Sequence, residues 1–229
     1  LYQNRTRLAP FIASMPQEEA LNPQLTVREH LKHASVIRRP HLGHLEHTKR
    51  VDSILAELAL QPLARRKVGS PGDKTISGGE RGRLNLGLDL SSPAEIFLFD
   101  EPISGLSSKD SEHVAETLHA LSRDNIVIAS LHRPGARVLR LFDKVLLLDK
   151  GGRVAFFGSP AGMGHYFREA SKELHILTPK RMKSQQVGGA DFVFDVLETP
   201  LHGQAGREGG GVRRFPPTFW QERFEGSQL

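Results

Sequence analysis

The stretch TISGGERGRLNLGLDLSSPAEIFLFDEPISGLSSKD, residues 75 to 110, decides how this chain is interpreted. It contains three parts in a fixed order. A glycine-rich turn at 76–80 opens a helix, an apolar strand at 96–99 ends in Asp100 and Glu101, and a loop then leads into another helix. Each part is common alone, so the order and the spacing of the three parts carry the information.

The glycine-rich turn has the chemistry of a helix start that can receive an anion. Ser77 is a good N-cap, and Glu80 three residues later completes an S-x-x-E capping box. Gly78 and Gly79 carry no side chains, so a ligand can approach their backbone closely. The N–H groups and the positive dipole end of a helix N-terminus suit phosphate. A plain capped helix after a glycine turn is the alternative interpretation.

The apolar strand ends in two carboxylates. Residues 96–99 are apolar on both faces, as in a buried parallel strand. Asp100 and Glu101 follow at the end of the strand where open α/β sheets bind ligands. Asp100 can hold Mg²⁺, directly or through water, and Glu101 can orient and deprotonate an attacking water. A solvated acidic pair is the alternative, but the position of Asp100, 23 residues after Ser77, favours a functional pair.

Taken in order, these parts resemble the second half of an ABC-type ATPase domain. The turn from Ser77 to Glu80 is similar to the ABC signature motif. The strand ending in Asp100 and Glu101 resembles Walker B with its catalytic glutamate. The run 104–110 resembles the D-loop, although Ser107 stands where many ABC D-loops have Asp.

Two further positions match the same pattern outside this stretch. His132 directly follows a predicted strand at 125–130 and is placed like the switch histidine. Upstream, Met15-Pro16-Gln17 resembles the Q-loop. Runs at 22–29 and 150–158 resemble segments of G-subfamily transporters of the White and pleiotropic-drug-resistance type. The resemblance covers roughly residues 8 to 170.

The resemblance implies a role for each of these residues. The motif from Ser77 to Glu80 would contact ATP that is sandwiched between two such domains. Asp100 and Gln17 would serve Mg²⁺. Glu101 would polarise the attacking water, and His132 would contact the γ-phosphate.

The predicted fold is α/β, a partial P-loop NTPase core with a mostly parallel sheet and a helical subdomain. The ATPase domain would span 1–170, with the helical subdomain at about 26–90, and 171–229 would be an extension toward a membrane domain. A capping box at Thr26 and Glu29 predicts a helix to about residue 36, and apolar spacing predicts another at 46–60. The same patterns predict strands at 8–14, 145–148 and 153–157, and helices at 108–122, 162–170, 190–197 and after 215.

Composition limits the other functional classes. The absence of cysteine excludes disulfides and thiolate metal sites, and no apolar run approaches the ~18–20 residues of a membrane helix. The net charge of +5 suits nucleic acid or an anionic membrane leaflet, but the G-type pattern argues against a nucleic-acid partner.

Five histidines crowd the region 30–47, where i,i+3 pairs can bind metal. Without a carboxylate set beside them, solvated helix faces are the preferred interpretation.

No Walker A string, G-x-x-x-x-G-K-[ST], occurs in the sequence, and the chain does not begin with Met. We therefore expect a fragment that begins after Walker A. The function expected is the ATP-binding domain of a transporter, coupling ATP hydrolysis to transport, with export favoured. Its partners would be a membrane domain and a second ATPase domain at the cytoplasmic face of the membrane. The alternative is a truncated, non-catalytic module that binds or regulates a partner.

Overall fold

The computed structural model describes residues 8–15, 21–70, 72–73, 75–176, 190–201 and 213–227. The chain divides into two compact units, Leu1–His132 and Arg133–Leu229. The first unit contains the signature-like turn, the strand with the two carboxylates and His132. The proposed domain boundary near residue 170 stays a prediction.

A three-stranded parallel sheet forms the centre of the first unit. Its strands are β1 (Ile12–Met15), β2 (Ile96–Asp100) and β3 (Ile126–Ser130), with β2 in the middle. The parallel sheet with helices between its strands confirms the predicted α/β fold of a partial ABC ATPase. Alternate residues of β2 are buried, including Phe97 and Phe99, because one face of the sheet packs on the core.

Three helices lie between β1 and β2 in the region predicted to be helical: α1 (Val27–Arg38), α2 (His44–Glu57) and α3 (Gly78–Leu90). They pack closely because α3 has a glycine at the contact. A Cβ atom on Gly87 would lie 2.9 Å from Leu31 of α1 and 3.1 Å from Ile54 of α2. The buried apolar side chains of all three helices join the core of the sheet in one cluster.

Arginine side chains surround the C-terminal end of α3. Arg38 donates to the Asp89 carboxylate at 2.6 Å, and Arg39 donates to the carbonyl oxygens of Ser91 and Ser92 at 3.0 and 2.8 Å. Arg50 donates to the carbonyl of residue 90. Because the last carbonyls of a helix lack intrahelical partners and carry partial negative charge, these cations satisfy and stabilise that end.

The helix α4 (Ser108–Leu121) connects β2 to β3. Ser107 is its N-cap, and the Ser107 hydroxyl accepts a hydrogen bond from the Asp110 backbone N–H. Val114 and Leu118 are buried, which packs the predicted helix α4 against the sheet.

The second unit is built around an antiparallel hairpin and an aromatic core. The hairpin joins the strands predicted at 145–148 and 153–157, and its turn has Gly151 and Gly152 at φ of +79° and +72°, a backbone region that favours glycine. Phe156, Phe167 and Trp220 lie in the aromatic core. The elements of this unit are α5 (Ala136–Leu139), β4 (Val145–Asp149), β5 (Arg153–Gly158), α6 (Pro160–Glu173), α7 (Ala190–Leu197) and α8 (Pro217–Gly226).

Three local predictions need correction. The strand predicted from Leu8 begins only at Ile12, because Ala9–Phe11, with its proline, forms a 3-10 turn. The helix predicted to reach Leu60 ends at Glu57, because Ala59 adopts a left-handed φ of +52° and the Leu60 N–H donates to the Leu55 carbonyl.

The third correction concerns the histidines, which are not all solvated. His30 and His47 are buried. His30 accepts the Asn22 N–H at 2.9 Å, and His47 bonds the Ser35 hydroxyl at 2.8 Å. Among the described residues, no cluster of histidine and carboxylate side chains can hold a metal ion. Within the same residues, no helix has the length and apolarity needed to cross a bilayer.

Candidate functional site

The N-terminal turn of α3 is capped by its own residues. The Ser77 hydroxyl accepts the Glu80 N–H at 3.2 Å, and the Glu80 carboxylate accepts the Ser77 N–H at 2.6 Å. This is the predicted capping box, and it leaves the N–H groups of Gly78 and Gly79 without an intrahelical partner. Ser77 and Gly78 are exposed, and a Cβ atom on Gly78 would meet nothing within 4 Å. The turn is therefore open to a ligand.

The D-loop-like segment, which spans the loop after β2 and the start of α4, contacts the first turns of α3. A Cβ atom on Gly79 would lie 3.1 Å from the Asp110 carboxylate, and one on Gly82 would lie 3.3 Å from the Leu106 side chain. Arg83, one turn after Gly79, forms an ion pair with Asp110. The structure thus brings the signature-like turn and the D-loop-like segment into direct contact.

Asp110 is held as an anion at this contact. The Ser107 hydroxyl donates to its carboxylate at 2.7 Å. That hydrogen bond, and then the charge of Arg83, lower the pKa of Asp110 below its ordinary value. Asp110 belongs to the D-loop-like run, but sequence reasoning missed its partner Arg83, although the one-turn spacing of Gly79 and Arg83 places these two residues on the same face of the helix.

The two carboxylates of β2 lie beside the end of β3. Asp100 pairs with Ser130 in the parallel register. The Ser130 hydroxyl donates to Asp100 Oδ1 at 2.5 Å and accepts the Glu101 N–H at 3.0 Å. Asp100 is exposed, and Glu101 is half-buried. Ser130 is a second contact that the sequence did not reveal, because it depends on the pairing of two distant strands.

Glu101 occupies a strained backbone position. Its φ is +46°, a left-handed conformation that is uncommon for residues other than glycine. The Ser104 N–H donates to the Glu101 carbonyl at 3.0 Å, so the chain turns sharply away from β2. Backbone outliers of this kind cluster at functional sites, so the strain favours a functional role for this turn.

His132 lies two residues beyond the end of β3 and is exposed. Because β2 and β3 are parallel neighbours, His132 follows the same edge of the sheet at which Asp100 and Glu101 lie. Asp100, Glu101 and the segment that carries His132 therefore follow the ends of two neighbouring parallel strands. Gln17 lies outside the described residues, and β1, the strand before it, pairs with β2 through Met15 and Phe99.

The donor set at this edge fits a hard cation. Mg²⁺ prefers carboxylate oxygens, keeps several waters and is usually bound by one or two carboxylates together with substrate phosphates. Asp100 provides such a carboxylate, and it is exposed. Among the described residues, no group of three or more histidine or carboxylate side chains surrounds it.

A family model described as ABC transporter matches residues 2–104. ABC transporter G family member 6 of Arabidopsis thaliana is 37% identical over 196 residues, which are 85% of this chain and 25% of that protein. Protein white of Drosophila melanogaster is 37% identical over 158 residues, 68% of this chain and 23% of that protein.

An uncharacterized ABC transporter ATP-binding protein/permease of Saccharomyces cerevisiae is 39% identical over 182 residues, which are 79% of this chain and 13% of that protein. The chain thus spans a quarter or less of the length of these relatives. The signature-like turn and the strand that ends at Asp100 lie inside the segment matched by the family model. The chain belongs to the ATP-binding domains of ABC transporters and is of the G type.

Proposed function

We propose that this chain is the signature-bearing part of an ATPase domain that couples ATP hydrolysis to transport across a membrane, in the direction of export. The observation that carries the proposal is the combination of an open, glycine-lined helix start at Ser77 with Asp100, Glu101 and His132 at one edge of a parallel sheet. Family membership supports ATP as the nucleotide. Coupling to transport is inferred from the relatives, since the chain covers only part of their length.

The N-terminal turn of α3 would bind the terminal phosphate of ATP. The N–H groups of Gly78 and Gly79 and the positive end of the helix dipole would contact its oxygens. The string G-x-x-x-x-G-K-[ST] does not occur among the 229 residues, so a nucleotide bound here would take its phosphate-binding loop from other residues. In the proposed arrangement, a second ATPase domain lies opposite the turn.

The residues at the sheet edge would carry out the hydrolysis. Magnesium-bound ATP would supply the electrophilic γ-phosphorus, and ADP would be the leaving group. Asp100 would hold the cation with Gln17, and Glu101 would orient and deprotonate the attacking water. His132 would donate a hydrogen bond to an oxygen of the γ-phosphate. A positioned general base of this kind typically contributes about 10²–10⁴-fold in rate.

The partners follow from the same proposal. A membrane domain and a second ATPase domain, identical or different, would complete the transporter at the cytoplasmic face of the membrane. The word permease in the name of the yeast relative supports a membrane domain.

The absence of a Walker A string favours one alternative, a non-catalytic module that binds or regulates a partner. ATP titration of the 229-residue chain tests this alternative in one direction. Binding in the millimolar range or tighter would count against the non-catalytic module, whereas absence of binding is expected of both candidates because the phosphate-binding loop would come from other residues.

A chimaeric transporter tests the proposed function. In this protein, called the chimaera below, the chain replaces the aligned segment of ABC transporter G family member 6. We expect ATP turnover, and we expect Glu101→Gln to lower kcat by roughly 10²–10⁴-fold while ATP binding is retained. Glu95→Gln, at the opposite end of β2, is the matched control and should leave turnover unchanged. Near-normal turnover in Glu101→Gln would reject the assigned role.

A further inference from the structure

The hydroxyl of Ser130 has partners on both carboxylate-bearing residues of β2. It donates to Asp100 Oδ1 at 2.5 Å and accepts the Glu101 N–H at 3.0 Å. A serine hydroxyl has one proton and two lone pairs, and an ionised carboxylate can only accept. The direction of both bonds is therefore fixed, and one oxygen atom connects the side chain of Asp100 to the backbone of Glu101.

The connection lies at a backbone position that costs free energy. A non-glycine residue in a sparsely populated region persists only when its surroundings determine its conformation, and Glu101 has a φ of +46°. The Ser130 hydroxyl bonds the N–H of Glu101, and the Ser104 N–H bonds its carbonyl at 3.0 Å. The turn is thus fixed on both sides of Glu101, which sets the direction in which its side chain leaves the strand.

We propose that Ser130 is a positioning residue for the ATP hydrolysis proposed above, on which this inference rests. Its hydroxyl orients the carboxylate of Asp100 and keeps its remaining lone pairs for a cation or the water of a cation. The same hydroxyl keeps Glu101 in the left-handed turn. One side chain from β3 therefore keeps the cation-binding group and the water-orienting group in a constant relative position.

A purely structural role for Ser130 predicts different behaviour. A strand-end serine that only joins β2 to β3 would change stability when removed, without a specific effect on Glu101 or on cation dependence. Three variants separate the roles. Ser130→Ala removes the hydroxyl, Ser130→Thr keeps it on a residue that suits a strand, and Ser14→Ala removes an exposed hydroxyl from β1 as a control.

The first measurement uses the 229-residue chain and needs no ATPase activity. Amide hydrogen exchange at Glu101, followed by nuclear magnetic resonance, reports the bond to Ser130. We expect Ser130→Ala to accelerate the exchange of this amide by roughly twofold to tenfold, the effect of one hydrogen bond. The Ser130→Thr and Ser14→Ala variants should match the parent chain. An unchanged exchange rate in Ser130→Ala would show that the Ser130 hydroxyl does not hold the Glu101 N–H.

The second measurement uses the chimaera and its magnesium dependence. We expect Ser130→Ala to lower kcat roughly tenfold and to raise the Mg²⁺ concentration needed for half-maximal turnover, with the KM for ATP unchanged. Ser130→Thr should restore both values. Faster Glu101 exchange with unchanged kcat and Mg²⁺ dependence would overturn the positioning role. A parent chimaera without ATP turnover would instead overturn the proposed function and, with it, the positioning role. The exchange experiment would still test the hydrogen bond between Ser130 and Glu101.

Discussion

The helix α3 has an arginine–aspartate pair near each end, and the surroundings of the two pairs differ. Near the C-terminal end, Arg38 contacts Asp89, whose side chain is 5% exposed. Near the N-terminal end, Arg83 contacts Asp110, whose side chain is 35% exposed. Burial raises the pKa of Asp89, against the opposing charge of Arg38, whereas hydrogen bonding lowers the pKa of Asp110.

The difference shows which end of the helix is anchored. The C-terminal end is fixed in the helical cluster by arginines of α1 and α2, and Gly87 packs there against both helices. At the N-terminal end, Ser77 and Gly78 are exposed, and the first turn is capped by its own Ser77 and Glu80. A helix anchored at one end can present the N–H groups of the other end without burying them, which is what binding of an anion requires.

The two aspartates also contribute to stability with opposite dependence on pH. The folded pKa of Asp89 lies above its unfolded value, so its contribution to the free energy of unfolding decreases as pH rises through the raised pKa. The folded pKa of Asp110 lies below its unfolded value, so its contribution is complete above that value and is lost as pH falls through the lowered pKa.

The largest effect is expected from Arg38→Ala. Removing one partner of a buried ion pair leaves an uncompensated charge, which typically costs about 3–5 kcal/mol, and we expect the lower part of this range because Arg38 is 34% exposed. The loss should shrink on acidification, since protonation neutralises Asp89. Urea unfolding followed by far-ultraviolet circular dichroism at about pH 7 and about pH 5 measures both effects.

Two further variants test whether the loss in Arg38→Ala comes from the buried charge of Asp89. Arg28→Ala, on the same helix, removes an exposed pair with Asp52 and should cost less than about 1 kcal/mol. Asp89→Asn, added to Arg38→Ala, should recover part of the loss because the buried charge is gone. Equal losses for Arg38→Ala and Arg28→Ala, or a loss that does not change with pH, would contradict the distinction between a buried and an exposed pair.

An intermediate effect is expected from Gly87→Ala. The added Cβ atom would lie 2.9 to 3.1 Å from Leu31, Leu58 and Ile54, so the three neighbours cannot all move away. Overpacking of this kind costs about 1–3 kcal/mol, from which the helix preference of alanine over glycine recovers up to about 1 kcal/mol. Unfolding of the chain in urea measures the loss, with Gly78→Ala as the control.

Gly78→Ala is a matched control because its added Cβ atom meets nothing within 4 Å. It should leave the free energy of unfolding unchanged or slightly higher. A loss in Gly78→Ala as large as that in Gly87→Ala would show that the two ends of α3 are packed alike, against the comparison above.

The parts of the fold that follow from local chemistry could be predicted from the sequence. The capping boxes at Thr26 and Ser77 use neighbouring residues, and the strands around Asp100 and after Asn125 are marked by apolar runs. The helix end at Ala59 could not be predicted, because a left-handed alanine depends on the surrounding packing. Local signals therefore placed the elements more accurately than their ends.

Contacts between distant segments account for what the sequence did not show. His47 was expected to be solvated, yet it lies against Ser35 of the neighbouring helix. The bonds from Ser130 to Asp100 and from Arg83 to Asp110 join residues 30 and 27 positions apart. The candidate carboxylates could thus be named from their motif, while the groups that orient them became visible only through the strand register and helix packing.

The smallest effect is expected from Asp110→Asn, which tests the exposed end of the comparison. The amide keeps hydrogen-bonding capacity toward Ser107 but loses the charge pair with Arg83. Because Asp110 is 35% exposed while Arg83 is only 11% exposed, we expect a loss of about 1 kcal/mol near pH 7, the upper end of the range for exposed pairs. As pH falls through the lowered pKa of Asp110, the parent loses the same contribution, and the two unfolding curves should converge. Asp124→Asn, at an exposed turn position, controls for general acid effects. If the difference in the free energy of unfolding between the parent and Asp110→Asn grew on acidification, Asp110 would behave like buried Asp89. The charges of the two aspartates would then give no basis for the contrast between the two ends of α3.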